Sequence, residues 1–184
     1  MFKKIVIIFF IGILNINNSA FSDDKILNSL KEGKKLIFIR HAIAPGNGDP
    51  NNFDISDCST QRNLDINGIK QSKKIGLFFK NNKIKIDKVL SSQWCRCKDT
   101  AKYAFKNFET FDALNSFYDE RFSKNETKQI NDLKKYVKKW NSDKNLVLVT
   151  HFVVISSILN TVSSSGEIII SDKNFNIIGS VSNM

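Results

Sequence analysis

Histidine is nearly absent: the 184 residues hold two, His41 and His151. Arginine is almost as scarce, with Arg40, Arg62, Arg96 and Arg121 set against a lysine-heavy background. Cysteine occurs three times, as Cys58, Cys95 and Cys97. Each shortage excludes something. Two histidines on separate segments and a Cys95-x-Cys97 spacing do not complete a zinc site, whose cysteines stand further apart. An odd cysteine count leaves room for one disulfide and one free thiol. No repeat, low-complexity linker or composition break divides the chain, so one domain suits its length. The longest apolar run, Ile5 to Leu14, falls short of the roughly 20 residues that a membrane-spanning helix needs.

Lysine is what the chain has in plenty, and the formal net charge is +10. Such a balance suits nucleic acid, a membrane surface or small anions. The lysines are scattered, with no basic stripe interleaved with aromatics, which argues against nucleic acid and leaves a rim that attracts anions. Lys3-Lys4, the apolar run after them and the small residues of Ala20-Phe21-Ser22 make a secretory signal, with cleavage before Asp23. Residues 1–22 are therefore read as a signal peptide and 23–184 as the domain. The expected location is periplasmic or secreted, with no membrane anchor after cleavage.

The scarce residues fall in telling places. Leu36-Ile37-Phe38-Ile39 reads as a short buried strand, ending in Arg40-His41 and then the loop chemistry of Ala42, Pro45, Gly46 and Gly48. Asn145-Leu146-Val147-Leu148-Val149-Thr150-His151 repeats the pattern. Both histidines thus close strands, where open α/β sheets bind ligands. Where lysine is the default cation, an arginine marks a need for a rigid bidentate fork, such as a phosphate clamp.

Between these strands the pattern alternates. A lead-in helix is read over 23–33, and a long loop over 42–64. A helix capped by Asp65 should run to about Asn81 with Ile66, Ile69, Ser72, Gly76 and Phe79 inward. Ile86 to Leu90 make a strand, and Trp94 to Lys106 a helix with Arg96 in its first turn, where free N–H groups favour anions. Residues 108–122 look irregular. Ser123-x-x-Glu126 resembles a capping box for a helix ending near Trp140. A short helix over 153–159 and two strands, 166–171 and 175–181, close the chain. Strands alternating with helices imply an α/β/α three-layer sandwich, mostly parallel, with an antiparallel edge.

Arg40-His41 after a strand, Ser91-Ser92-x-x-x-Arg96-x-x-x-Thr100-Ala101, and Val149-Thr150-His151 before a helix resemble the histidine phosphatase superfamily, which is phosphoglycerate mutase-like in fold. Asp57-Cys58-x-x-Gln61-Arg62-Asn63-Leu64, Gly68, Gln71 and Ser165-Gly166-Glu167 resemble its small periplasmic branch, which includes the lipopolysaccharide-core heptose phosphate phosphatases. The resemblance implies a phosphomonoesterase with a phosphohistidine intermediate on His41, no metal or other cofactor, and a small phosphorylated substrate such as a phosphosugar. It also leaves two other readings, a phosphatase of protein phosphohistidine and a non-catalytic binder of phosphorylated glycans.

Arg40, Arg96 and His151 are the expected clamp on the phosphoryl group. Arg62 is either a further clamp residue or a salt-bridge partner. Asn47 contacts phosphate or simply serves a turn, and Ser92 either bonds the site or caps a helix. The acid that protonates a leaving alkoxide is missing from the positions relatives use, which here hold Ser116 and Phe152. Glu120 is the candidate, for its longer reach, with Asp119 as alternative. Cys58 is expected to bond to Cys95 or Cys97. Oligomeric state is not legible in the sequence.

Overall fold

Residue by residue, the first strand shows why the chain folds as it does. In the computed structural model, which describes residues 18–182, β1 (Leu36–Arg40) has Leu36, Ile37, Phe38 and Ile39 all at 0% exposure. Full burial of such side chains stabilises the fold by about 1.5–3 kcal/mol each. Leu36 and Phe38 face one apolar cluster, Ile37 and Ile39 the other, so both faces of the strand are covered. That is the continuous apolar run of a parallel-sheet strand.

The other strands are β2 (Ile86–Ser91), β3 (Glu109–Thr110), β4 (Asn145–Thr150), β5 (Ile168–Ser171) and β6 (Ile177–Val181). They form a six-stranded sheet in the order β3-β2-β4-β1-β5-β6. The first four in that order pair in parallel, and β5 and β6 add the antiparallel edge. The helices are α1 (Asn18–Glu32), α2 (Ile66–Asn81), α3 (Cys95–Phe105), α4 (Glu120–Ser123), α5 (Glu126–Lys139) and α6 (Phe152–Leu159). One core layer joins the sheet to Ile26 and Leu30 of α1, Ile75 and Phe79 of α2, and Cys97 and Ala101 of α3. The opposite layer holds Leu133 and Val137 of α5, Val154 and Ile155 of α6, and Leu114. The three-layer sandwich expected from the alternation is what forms. Among the described residues no helix is long and apolar enough to cross a membrane.

Several elements differ in detail. Within the described residues helix α1 covers Asn18–Glu32, so it runs through the expected cleavage point at Asp23; the rest of the signal segment, 1–17, lies outside the described residues. Ser72 and Phe79 of α2 face inward as expected, but Ile66 is 63% exposed, and Gly68 and Ile75 complete the buried face. Gly68 decides that rotation: a β-carbon there would lie 2.0 Å from the Ile43 carbonyl oxygen, so the helix presses its bare backbone on the loop after His41. Asp65 does cap α2, accepting from Gly68 N–H at 2.7 Å. The Ser123 capping box does not form, because Ser123 Oγ donates to Glu120 O and the N-cap is Asn125. The irregular 108–122 stretch contains β3, which adds an edge strand to β2.

Candidate active site

Parallel register brings the scarce residues together. Arg40 pairs with Thr150 and Ser91 with Val149, so β1, β4 and β2 end side by side. Each then delivers its next residue to the same edge: His41, His151 and Ser92. The two imidazole centroids lie 5.5 Å apart. Above them opens a cleft of about 290 Å³, walled by Arg40, Arg62, Arg96 and the aromatic rings of Trp94, Tyr118, Phe122 and Phe152.

His41 is 2% exposed, and its Nδ1 lies 2.8 Å from the Ala42 carbonyl oxygen. A carbonyl only accepts, so Nδ1 carries the proton and Nε2 keeps its lone pair. Burial, then the nearby Arg96 charge, hold this imidazole well below its usual pKa and therefore neutral. The backbone around it is braced. Ala42 N–H donates to Thr100 Oγ1 at 3.0 Å, and Thr100 donates on to the Arg96 carbonyl at 2.7 Å. Gly166, at φ +74°, turns its N–H toward the carbonyls of Arg40 and His41, and a side chain there would collide with Gln71.

His151 is equally buried and also held neutral, again by burial and then Arg96. Its Nε2 lies 2.9 Å from Ser92 Oγ and 3.5 Å from Cys97 Sγ. Nδ1 is therefore the nitrogen left for a ligand. Ser92 resolves toward the site, although it also accepts weakly from Trp94 N–H at 3.3 Å. Cys97 is buried, its thiol pushed up to about 12 by desolvation, so it is a packing group with little thiolate character.

The arginines are fixed by backbone carbonyls. Arg40 Nη1 donates to Ser163 O at 2.6 Å, and its guanidinium lies over the Phe152 ring. Arg62 donates from Nε to Gly48 O at 2.9 Å and from Nη1 to Ala44 O. Among the described residues no carboxylate takes the Arg62 side chain, so the clamp reading fits it better than the salt-bridge reading. Arg96 is different. Its Nη1 and Nη2 meet the two carboxylate oxygens of Asp49 at 2.8 and 3.1 Å.

Asp49 was invisible at the level of sequence. It follows Gly48 in a loop that also offers Asp54 and Asp57, and nothing in spacing separates the three. Asp54 and Asp57 turn out to bind the neighbouring residues Ser56 and Ser59. The one usable signal was charge: three converging arginines call for a buried anion.

Glu120 needs correction as the acid. It is exposed in the first turn of α4 and is not among the residues lining the cleft; Asp119 and the exposed Asn47 are. Helix geometry is the reason, since Asp119 caps α4 with its side chain turned back and Glu120 leaves outward. Asp119 in turn binds Arg121 at 2.8 Å, which lowers its carboxyl to about 2. Glu120→Gln is accordingly expected to leave kcat/KM on any phosphate ester within about twofold, measurable by steady-state kinetics.

Cys58 is bonded to Cys95, with Cα atoms 5.7 Å apart. Cys97, two residues on, points to the opposite side of α3 and into the core, which decides between the alternatives. The Gln61 side chain reinforces the junction by accepting from Cys95 N–H at 2.9 Å.

No family model and no curated protein matches the sequence. Solved structures do match. The protein histidine phosphatase SixA, complexed with tungstate, aligns over 80% of this chain and 96% of its own, with TM-score 0.59 and 16% identity. The fold is that of the histidine phosphatases and phosphoglycerate mutases. A phosphoglycerate mutase from Thermus thermophilus aligns over 82% of this chain and 99% of its own, with TM-score 0.60 and 13% identity. A mycobacterial glucosyl-3-phosphoglycerate phosphatase complexed with VO3 aligns over 75% and 92%, with TM-score 0.56 and 13% identity. The histidine phosphatase fold thus agrees with the α/β/α sandwich expected from the sequence.

Proposed function

We propose that the protein is an exported phosphatase that hydrolyses phosphate monoesters through a phosphohistidine on His41. The observation that carries this is His41 itself. Its Nδ1–H is anchored to Ala42 O, its ring is kept neutral, and Nε2 has no partner among the described residues, beside three arginines. Nε2 would attack phosphorus in line with the leaving oxygen. Arg40, Arg62 and His151 border the space where the equatorial oxygens would sit, and fixed donors there stabilise developing charge without reorganising. Water then attacks the phosphohistidine and restores the free imidazole. The aligned structures were solved with tungstate and VO3, which supports an oxyanion in the corresponding cleft of this chain. The polar cleft and its basic surroundings suit a small phosphorylated substrate, with phosphosugars a class to test.

The experiment is turnover of 4-nitrophenyl phosphate by purified protein in EDTA. Steady release of phosphate is expected. Strict dependence on an added divalent metal would overturn the mechanism.

One observation favours a second reading, removal of phosphate from protein phosphohistidine. Both carboxylates in the cleft are bound to arginine: Asp49 to Arg96 and Asp119 to Arg121. An alkoxide leaving group needs a proton at once, whereas leaving groups that depart without one do not need a carboxylic acid. The comparison is Asp119→Asn on an alkyl and on a nitrophenyl phosphate. A loss much larger on the alkyl ester makes Asp119 the acid and supports the monoesterase. Equal effects, with faster turnover of a phosphohistidine peptide, support the second reading.

A further inference from the structure

One carboxylate sits among three arginines, and its bonding is complete. Asp49 Oδ1 accepts from Arg96 Nη1 at 2.8 Å and from the Arg62 backbone N–H at 3.0 Å. Oδ2 accepts from Arg96 Nη2 at 3.1 Å and from Trp94 Nε1 at 3.0 Å. The Asp49 and Arg96 side chains are 10% and 4% exposed. Such a pair is more than a neutralising contact. An end-on grip on both Nη atoms sets the plane of the guanidinium, and the Trp94 and Arg62 bonds set the carboxylate in turn. Arg96 Nε is buried with no partner among the described residues, so the fork keeps one unspent donor beside the cleft.

We propose that Asp49 is the positioning residue of the phosphate clamp, holding the Arg96 guanidinium in the plane in which it serves the phosphoryl group. The proposal rests on the phosphatase reading above. It differs from a plug, in which the carboxylate would occupy the place of substrate and leave when substrate arrives. It also gives the loop over 46–62 a task in catalysis, because that loop brings Asp49 and Arg62 to a fork rooted in α3.

A positioning residue acts only through the group it holds, so the test is a double-mutant cycle on 4-nitrophenyl phosphate. Asp49→Asn keeps the shape and removes the charge. With Arg96 present it is expected to lower kcat/KM by about 10- to 100-fold, the scale of a misaimed catalytic group. In an Arg96→Gln background it should change kcat/KM by less than about twofold. An equal loss in both backgrounds, no loss at all, or higher activity from a removed plug would each overturn the proposal. Should Asp49→Asn fail to fold by thermal melt, Trp94→Phe removes one donor to the same carboxylate and is run through the same cycle. Absence of turnover in the unmodified protein would instead defeat the phosphatase reading. The cycle is then read by equilibrium binding of inorganic phosphate, where a change from Asp49→Asn that needs Arg96 supports the positioning role and one that does not overturns it.

Discussion

Replacing His41 with alanine is expected to lower kcat for 4-nitrophenyl phosphate by at least about 10⁴-fold, the scale seen when a covalent nucleophile is removed. Folding should survive, because the His41 backbone N–H to Thr150 O bond of 2.9 Å and the β1 ladder do not depend on the ring. Phosphate that stays on His41 of the unmodified protein through an alkaline quench and is lost on acidification would show the intermediate directly. A His41→Ala protein that keeps a tenth of the activity would sink the mechanism. The low pKa of His41 also has a pH signature. A nucleophile that stays neutral below the ordinary histidine range keeps kcat/KM high as the pH falls through 6, where a solvent-exposed imidazole would already be protonated. Stability moves the other way. Both buried histidines stay neutral in the folded state, while the unfolded chain takes up protons near pH 6.5. Their folded pKa values are depressed, so stability is full above about 6.5 and declines as the pH drops toward those values, by up to about 1.4 kcal/mol per unit for each histidine.

Breaking the Cys58–Cys95 bond is the second large effect. The two cysteines are 37 residues apart, and closing a loop of that length removes about 4 kcal/mol of unfolded-state entropy in the chain-entropy model. Cys58→Ser/Cys95→Ser is therefore expected to lower Tm by roughly 10 °C or more. Activity should fall by more than stability at room temperature accounts for. The bond joins the loop carrying Asp49 and Arg62 to the first residue of α3, next to Arg96, so its loss loosens the clamp as well as the fold. Thermal melts and kinetics on the same double variant separate the two effects. A second check is intact mass after alkylation of denatured, unreduced protein: one added group, on Cys97, is expected. Three alkylated thiols would refute the bridge.

How the fold and site could be read depended on the range of the interactions involved. Strand content is local. Leu36–Ile39 and Leu146–Val149 are unbroken apolar runs that only a sheet covered on both faces can bury, and that composition specified β1, β4 and the sandwich around them. The ends of those runs placed His41 and His151 at one edge, because parallel strands share a direction. Helix boundaries set by caps were also legible where the cap is sequential, as with Asp65 and α2. Facing was harder. Ile66 looks inward by periodicity, yet Gly68 needs the close approach to Ile43, a contact 25 residues away that no helical pattern encodes.

The site followed the same division. The clamp arginines and both imidazoles were marked by their scarcity and by the strand ends. Their partners were not. Arg96 meets Asp49 across 47 residues and Cys95 meets Cys58 across 37, contacts fixed only when the loop folds back over α3. The acid turned on a single turn of helix, where Asp119 caps and Glu120 points away. Apolar patterning acts through burial and is written along the chain, so the sequence by itself determined the layers, the strand ends that carry the chemistry and the histidine pair. Directional bonds between distant polar groups depend on the folded path of an irregular loop, and the tertiary structure was needed to decide which carboxylate holds Arg96 and which cysteine closes the ring.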